Sequence, residues 1–249
     1  MLSKSQISLL KSLQNKKDRR EHGLFLVEGD KSIVEFIKSP YQIDAIYYTA
    51  SFDPKVLKLS QKINLHQISD DELKKISSLK TPQDVAAVVK IPARPALDNT
   101  QLKQKFSVVL DGIQDPGNLG TIIRIADWFG IKHIICSSDT VDAYNPKAVQ
   151  ASMGSLSRTT LHYIELEPFL AQVDLPIFGA MLNGGNIYLT EFGREGLIVM
   201  GNEGSGLRPG VEKMIGKAVT IPRAGAAESL NVAIATALFC SEVSRKSYK

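Results

Sequence analysis

Residues 221–238, Ile-Pro-Arg-Ala-Gly-Ala-Ala-Glu-Ser-Leu-Asn-Val-Ala-Ile-Ala-Thr-Ala-Leu, run from the end of a predicted strand through a loop of small residues into an apolar helix. Pro222 marks the end of the strand, because proline cannot donate to a sheet ladder. The small residues at 224–227 leave the backbone uncovered, so a ligand can approach main-chain groups closely. The polar residues Ser229 and Asn231 can then cap the helix or face a ligand, and this segment alone does not decide between the two.

Two earlier segments have the same organisation, a predicted strand followed by a loop rich in glycine and polar residues. The strand at 107–110 leads into DGIQDPGNLGTIIRIADWFG at 111–130, and the strand at 196–200 leads into GNEGSGL at 201–207. The carboxyl ends of parallel strands lie at one edge of a sheet, and ligands of open α/β sheets bind there. The three junctions therefore predict one site at the carboxyl edge of a parallel sheet.

Strands and helices alternate along the chain, which predicts an α/β fold in two domains. In the first part, strands are expected at 24–28, 43–48, 63–68 and 85–91, and helices at 3–20, 30–37, 54–60 and 70–79. In the second part, strands are expected near 107–111, 132–137, 159–164, 176–182, 196–201 and 218–221, which indicates a mainly parallel sheet covered on both faces. Residues 92–100 combine two prolines with polar residues and predict a linker between domains at 1–95 and 96–249.

Positive charge is concentrated in the first domain. Residues 1–95 carry 16 Lys and Arg against 11 Asp and Glu, whereas residues 96–249 carry 14 against 15. The helix predicted at 3–20 ends in a basic cluster suited to phosphates, made of Lys16, Lys17, Arg19 and Arg20. The distribution favours a polyanion bound by the first domain. Lysines that only solubilise a small domain, and cations that only favour a helix terminus, remain open alternatives.

Composition argues against several classes of protein. Apolar residues make up 43% and charged residues 22% of the 249 residues, which is ordinary for a soluble globular protein. The N-terminus lacks the apolar core of a signal peptide, and no apolar run approaches the roughly 20 residues of a membrane span. Cys136 and Cys240 are the only cysteines and lie in apolar segments, which predicts reduced thiols in a cytoplasmic protein. The four histidines lack the spacing of metal ligands, so no metal is expected.

Three motifs taken together resemble those of a known enzyme family. NxGxxxRxA at 118–126, MGNEGSGL at 200–207 and IPR…ESLNVA at 221–233 are similar to the motifs of the SpoU (TrmH-type) RNA ribose 2′-O-methyltransferases of the SPOUT superfamily. The pattern departs from the family at Arg223, where many members carry methionine. The resemblance implies S-adenosylmethionine-dependent methylation of an RNA 2′-hydroxyl, a homodimer and a C-terminal trefoil knot. The periodicity alone indicates an unknotted doubly wound sheet, because knots are essentially absent from known folds.

The resemblance also implies roles for individual residues. It assigns Arg124 as a catalytic residue acting at a dimer interface. The other catalytic residues that it implies, which would order the site, are Asn118, Glu203, Ser229 and Asn231. Backbone groups that would hold the cofactor lie around Met200, Gly201, Ile221 and Leu230.

Two further segments resemble segments found in proteins of the same family. FLVEGDKSIVEF at 25–36 is similar to the substrate-binding domain, itself similar to ribosomal protein L30e, that precedes many SpoU catalytic domains. In the stretch from 144 to 158, substrate-side contacts are implied at Asn145, Lys147, Ser152 and Arg158. An ordinary helix N-terminus followed by a turn also explains that stretch.

The residue type of Arg124 restricts what it can do. At about 100° per residue it lies opposite the apolar face of its helix, beside Trp128, the only tryptophan. It can be a surface arginine stacked on that indole, or part of an interface or a nucleic-acid contact. Arginine stays protonated in proteins, so we expect a catalytic arginine to stabilise a developing alkoxide and not to act as the base. The proton would leave to a substrate phosphate or a neighbouring group.

The glycine turn at 201–207 discriminates between cofactors. Gly201, Gly204 and Gly206 have the spacing GxxGxG, the reverse of the dinucleotide fingerprint, and a carboxylate at Glu203 would repel a pyrophosphate. The same carboxylate tolerates a phosphate-free ligand with a sulfonium cation, such as S-adenosylmethionine. A solvent-facing turn residue is the alternative for Glu203.

The sequence therefore predicts an RNA 2′-O-ribose methyltransferase. Ribosomal RNA is preferred over transfer RNA, because the N-terminal domain resembles that of ribosomal-RNA members. A catalytically inactive RNA-binding relative and a nucleotide-dependent α/β enzyme stay open as alternatives. The complete set of motif residues argues against the first, and the reversed glycine spacing argues against the second.

Overall fold

The computed structural model describes residues 1–59, 63–93 and 96–245. The described residues form two compact units. The first unit comprises Met1–Ala93 and Asp142–Arg158, and the second comprises the described parts of Arg94–Val141 and Thr159–Lys249. Residue 60 of a predicted helix, and residues 94 and 95 of the predicted linker, lie outside the described residues. The division into functional domains at 95/96 stays a prediction. The compact units differ from it in one respect, because Asp142–Arg158 groups with the N-terminal residues.

The strands follow the predicted order. They are β1 Leu24–Glu28, β2 Ile43–Tyr48, β3 Asn64–Gln67, β4 Val85–Lys90, β5 Phe106–Leu110, β6 His133–Ser137, β7 Thr160–Ile164, β8 Ile177–Asn186, β9 Gly196–Met200 and β10 Lys217–Thr220. The helices are α1 Lys4–Ser12, α2 Lys16–His22, α3 Asp30–Ile37, α4 Asp70–Ile76, α5 Pro116–Trp128, α6 Pro146–Ser152, α7 Leu166–Gln172, α8 Pro209–Glu212 and α9 Val232–Arg245. Short 3-10 turns lie at Pro54–Leu57, Asn99–Leu102, Ser155–Ser157 and Ile187–Leu189.

The single helix predicted at 3–20 is wrong, because the structure has two helices there. α1 ends at Ser12, and Asn15 adopts an extended backbone before α2 begins at Lys16. The Arg19 guanidinium donates to the carbonyl oxygens of Leu13 and Gln14, both at 2.9 Å. A continuous helix would use those carbonyls for its own backbone bonds. The break also buries the Leu13 side chain.

The first unit is built on a four-stranded mixed sheet in the order β1-β4-β2-β3. β4 is antiparallel to β1 and β2, and β3 is parallel to β2. Leucines and isoleucines of α1 and α4 pack on the sheet as one apolar cluster, with members that include Leu10, Leu13, Leu73, Ile76 and Val88.

Residues 142–158 complete the core of this unit. α6 packs against β1 and buries Ala148 and Val149. The rings of Tyr144 and Phe25 lie 4.7 Å apart between centroids, and the Tyr144 hydroxyl lies 3.4 Å from that of Tyr41. The N-terminal unit therefore draws part of its apolar interior from a segment that follows β6.

The second unit contains a six-stranded sheet in the order β10-β8-β9-β5-β6-β7. Every pairing in it is parallel, which confirms the predicted parallel sheet. α7 and α8 contribute to an apolar cluster with β5, β6 and β9, while α9 packs against α5 and β9. The predicted trefoil knot stays a prediction.

The strand order fixes where a ligand can bind. From β5 the chain continues to β6 on one side, while β9 pairs with β5 on the other. The loops that leave β5 and β9 therefore open next to each other at a topological switch point, where the crevice of an open α/β sheet lies.

Within the described ranges, no helix combines the length and apolarity required to cross a membrane.

Candidate functional site

The loop after β5 presents Asn118 at the start of α5. Asp115 caps the helix, and its side-chain oxygen accepts a hydrogen bond from the backbone amide of Asn118 at 2.7 Å. Pro116 takes the first helical position, where the missing amide hydrogen costs nothing. The Asn118 side chain is thereby held in the first turn of α5.

The loop after β9 is a tight turn closed by its own backbone. Asn202 and Gly206 exchange both backbone hydrogen bonds, at 2.9 and 3.0 Å. Gly201 lies so close to the far side of the turn that an added Cβ would stand 2.4 Å from the Gly206 carbonyl carbon. Gly206 itself has a φ of 71°, a region that favours glycine. The glycines therefore shape the turn, and the exposed Glu203 projects from it.

Asn118 links the three predicted motifs. Its Nδ2 donates to Glu203 Oε1 at 2.7 Å, and its Oδ1 accepts from Asn231 Nδ2 at 3.0 Å. The Asn231 Oδ1 accepts from the amides of Ala233 and Ile234, so this residue caps α9 and faces the site at once. The helix-capping role that the sequence left open for Asn231 is therefore observed, and its role toward a ligand stays a prediction. We call Asn118, Glu203 and Asn231 the polar triad.

The other two predicted catalytic residues lie outside the polar triad. Arg124 is exposed on α5, and Trp128 on the same helix has 80% of its surface exposed. Ser229 lies in a loop that is exposed from 222 to 231. Among the hydrogen bonds of the described residues, none joins Arg124 or Ser229 to the polar triad.

The residues predicted to hold a cofactor sit at the same sheet edge. Met200 ends β9 and is buried, whereas Gly201 and Ile221 are partly exposed. Leu230 is 49% exposed in the loop that leads to α9. In that loop the Arg223 guanidinium donates to the carbonyl oxygen of Ala227 at 3.0 Å, so Arg223 folds the loop upon itself.

Uncovered main-chain groups beside a carboxylate fit S-adenosylmethionine. A cation such as a sulfonium or an ammonium is favoured near Glu203, and the exposed backbone at 222–231 offers donors and acceptors for a neutral base and ribose. Such a ligand carries no phosphate, so its binding requires neither a phosphate-binding helix terminus nor a free positive charge. The donor set therefore suits the cofactor that the resemblance implies.

Three polar residues that support the site were missed as functional residues. Asp111 is buried, and it accepts from the Arg208 amide at 2.8 Å and from Arg208 Nε at 2.6 Å. The hydrogen bond that the Arg208 side chain donates to Asp111 is the main reason that the pKa of Arg208 is raised above its ordinary value. Asn202 Nδ2 donates to the carbonyl oxygen of Gly112 at 2.7 Å. No local pattern pairs residues so far apart in the chain, and the one usable signal was Asn202 inside the glycine motif.

The residues of the predicted RNA-binding cluster differ in exposure. Lys16, Lys17 and Arg20 are exposed on α2, as a phosphate contact requires. Arg19 is only 2% exposed, and its guanidinium pairs with Asp142 at 2.7 Å. Its donors bond to Leu13, Gln14 and Asp142 inside the first unit, which gives Arg19 a structural role, while its assignment as an RNA contact stays a prediction.

The predicted substrate-side residues are arranged mostly as structural groups of the first unit. Asn145 caps α6 by accepting from the Lys147 amide at 2.9 Å, while the Lys147 side chain is exposed. Ser152 is buried, and its hydroxyl donates to the Val149 carbonyl oxygen. Arg158 forms an ion pair with Glu35. The alternative reading, a capped helix followed by a turn, accounts for these contacts.

A pair of histidines lies in the second unit, on β6 and β7. His133 Nδ1 and His162 Nε2 are 3.2 Å apart, and the rings are stacked. Burial lowers the pKa of His133, and His162, Lys105 and Lys132 add to that effect. In the part of the chain that the structure describes, no group of three or more His, Cys, Asp or Glu side chains is arranged to hold a metal ion.

Family comparisons agree with this geometry. The SpoU rRNA Methylase family matches residues 105–241, a span that contains the whole polar triad. The MRM3-like substrate binding domain matches residues 4–87, within the first unit.

Individual relatives resemble the chain over nearly its whole length. A Bacillus subtilis (strain 168) protein named 23S rRNA (guanosine(2553)-2'-O)-methyltransferase RlmP is 29% identical over 92% of this chain and 91% of its own. A solved structure of a TrmH-family protein from Porphyromonas gingivalis has a TM-score of 0.87 at 37% identity and 99% coverage of both chains. The SpoU methyltransferase AviRb from Streptomyces viridochromogenes, solved in complex with AdoMet, has a TM-score of 0.87 at 25% identity and 99% coverage of both chains.

Proposed function

Because the chain belongs to the SpoU rRNA Methylase family, we propose that it methylates a ribose 2′-hydroxyl of ribosomal RNA with S-adenosylmethionine as methyl donor. The observation that carries the proposal is the polar triad. Asn118 draws together side chains from all three motifs at the switch point of the parallel sheet. The relatives named as 23S rRNA methyltransferases, and the AviRb structure with AdoMet, support the substrate class and the cofactor.

The residues of the chain divide the chemical work. The cofactor supplies the methyl group when bound. Glu203, which accepts a hydrogen bond from Asn118, places a negative charge beside the cofactor site. Arg124 stabilises the negative charge that develops on the attacking 2′-oxygen, since a guanidinium cannot accept the proton. The proton passes to a substrate phosphate or a neighbouring group.

A homodimer is part of the proposal. α5 and α9 pack together and expose large apolar side chains, among them Trp128 at 80% and Ile234 at 54%. Exposed aromatic and aliphatic side chains on one surface are typical of protein interfaces. Arg124 lies on the same helix as Trp128, so a second copy covering this surface would also approach the arginine.

RNA binding is proposed for the first unit. Lys16, Lys17 and Arg20 present positive charge on α2, and residues 4–87 match a substrate-binding domain. The proposed compartment is the cytoplasm, where a ribosomal substrate is made and where thiols stay reduced. The buried free thiols Cys136 and Cys240, with pKa values raised by burial, are compatible with it.

The decisive test is methyl transfer from radiolabelled S-adenosylmethionine to deproteinised ribosomal RNA. We expect label in RNA, mapped to one 2′-O-methyl nucleotide, and none in DNA, which lacks the 2′-hydroxyl. Transfer RNA is tested as a second substrate in the same assay. Calorimetric titration with S-adenosylhomocysteine is expected to show binding near one ligand per chain.

Matched variants separate the parts of the proposal. Glu203→Gln is expected to weaken S-adenosylhomocysteine binding, whereas Trp128→Glu is expected to give a monomer in light scattering. Val56→Glu, at an exposed apolar position of the first unit, is the control and is expected to stay dimeric. A wild-type chain that binds S-adenosylhomocysteine and RNA but transfers no methyl group would identify an inactive RNA-binding relative.

A further inference from the structure

The glycine turn that carries Glu203 is held at its start by Asn202. The Asn202 Oδ1 accepts from the amides of Gly204 and Ser205, at 2.9 and 3.1 Å. Its Nδ2 reaches out of the turn to the carbonyl oxygen of Gly112, in the loop after β5. One amide group therefore sets the shape of the turn and ties it to the loop that leads to Asn118.

The same turn is held at its end by Arg208. The Arg208 amide donates to one Asp111 oxygen, and its guanidinium donates to the other. Asp111 is buried, and a buried carboxylate requires such partners to offset its lost hydration. The guanidinium also lies 3.5 Å from Asp139, in the loop after β6.

The loop after β5 is therefore clamped from both sides. The Gly112 amide donates to Ser137 Oγ at 2.9 Å, and the Gly112 carbonyl accepts from Asn202. The contact from Asn118 to Glu203 within the polar triad is by contrast a single solvent-exposed hydrogen bond. A single exposed bond holds a geometry weakly, since its net worth corresponds to about a fivefold preference.

We propose that Asn202 and the Asp111–Arg208 pair are positioning residues for methyl transfer, which set Glu203 against Asn118 before ligands bind. The inference rests on the proposed function and extends it to residues without a chemical role of their own. These residues, called the brace, act only through the polar triad. The geometric reason is that the brace fixes the turn at both ends, on either side of Glu203.

The most specific variant is Asn202→Asp. Aspartate keeps an oxygen that accepts from the amides of Gly204 and Ser205, but it loses the donor to Gly112 and turns an oxygen toward that carbonyl. Arg208→Lys is the second variant, because lysine keeps the charge and the backbone bond to Asp111 but not the guanidinium fork. Lys103→Gln is the control, since it removes a solvent-exposed ion pair with Asp174 ahead of β5, at the opposite end of that strand.

Two measurements are made on the full chain. Hydrogen exchange is followed in peptides that cover 111–118 and 201–208, and S-adenosylhomocysteine affinity is measured by calorimetry. Asn202→Asp and Arg208→Lys are expected to speed exchange in both peptides and to weaken ligand binding by about fivefold, the equivalent of one lost hydrogen bond. Lys103→Gln is expected to change neither.

A double-mutant cycle with Glu203→Gln tests whether the brace acts through the polar triad. In the Glu203→Gln background, Asn202→Asp is expected to weaken the ligand by less than about twofold, because residues that act through one contact are not additive. The positioning role would be overturned if the losses of ligand affinity multiplied in the double variant, or if affinity stayed unchanged despite faster exchange. In either case, ligand binding by the wild-type chain would leave the proposed function standing. A wild-type chain that neither binds the ligand nor methylates RNA would overturn the proposed function itself, and the positioning role with it.

Discussion

The close approach inside the glycine turn makes a sharp prediction for Gly201→Ala. An added Cβ would stand 2.4 Å from the Gly206 carbonyl carbon and 2.6 Å from the Leu207 nitrogen. Both neighbours are backbone atoms, so relief requires the two sides of the turn to separate. The neighbouring Gly204→Ala is a matched control, because its Cβ would meet only the Asn202 side chain at an ordinary 3.6 Å.

The size of the effect follows from the bonds that separation would break. Asn202 and Gly206 exchange two backbone hydrogen bonds across the turn. At about 1 kcal/mol net for each, their loss costs about 2 kcal/mol. Overpacking of a tight site costs about 1–3 kcal/mol, which agrees with that figure. Glu203 would also leave its place beside Asn118, so ligand affinity is expected to fall together with stability.

The assay combines thermal unfolding with calorimetric titration of S-adenosylhomocysteine. We expect the melting temperature of Gly201→Ala to fall by about 4–8 °C and its ligand binding to be lost. Gly204→Ala is expected to stay within about 0.5 kcal/mol of the wild type. Wild-type stability and affinity in Gly201→Ala would refute the argument that the turn needs glycine for backbone proximity.

Three further predictions rest on single side chains. Arg124→Lys is expected to lower the turnover number by about a hundredfold with ligand affinity unchanged, while Arg245→Lys at the end of α9 leaves turnover at the wild-type level. Burial first, and neighbouring basic groups second, lower the pKa of His133, so the unfolded chain takes up that proton more readily. Stability should therefore be lost as the pH falls below the ordinary value of 6.5, and His133→Gln should flatten the dependence of the melting temperature on pH. Arg19→Gln is expected to destabilise the chain by about 3 kcal/mol in denaturant titration by breaking a buried pair, whereas Arg20→Gln should leave stability unchanged and weaken RNA binding in a salt-dependent way.

The parallel sheet was predictable because its signals are local. Short apolar runs at β5, β6 and β9 alternate with helical segments, and parallel strands buried on both faces give such runs. The members of the polar triad were implied by the resemblance to the SpoU motifs. The strand pattern predicted only that the three loops carrying them meet, because the carboxyl ends of parallel strands lie at one edge of a sheet.

The arrangement of Arg19 could not be read from the sequence. Four cations within five residues look like a solvated cluster, and only the position of Asp142 in space selects one of them for burial. The pairing of Asp111 with Arg208 was not predicted for the same reason, since it depends on β5 and β9 being neighbours in the sheet. Pairs that the fold brings together from distant parts of the chain leave no periodic or local mark.

The shared core of the first unit has a consequence for the order in which the chain folds. A ribosome releases α1 through β4 first, but Tyr144, Ala148 and Val149 emerge only after β5, α5 and β6 have been made. Until then the ring of Phe25 has the rings of Phe36 and Tyr41 beside it but lacks that of Tyr144, which lies nearest. The N-terminal unit therefore completes this part of its core only after β6 has been made, and the face of β1 that α6 covers stays exposed until then. A fragment that stops at residue 95 would stay in that incomplete state.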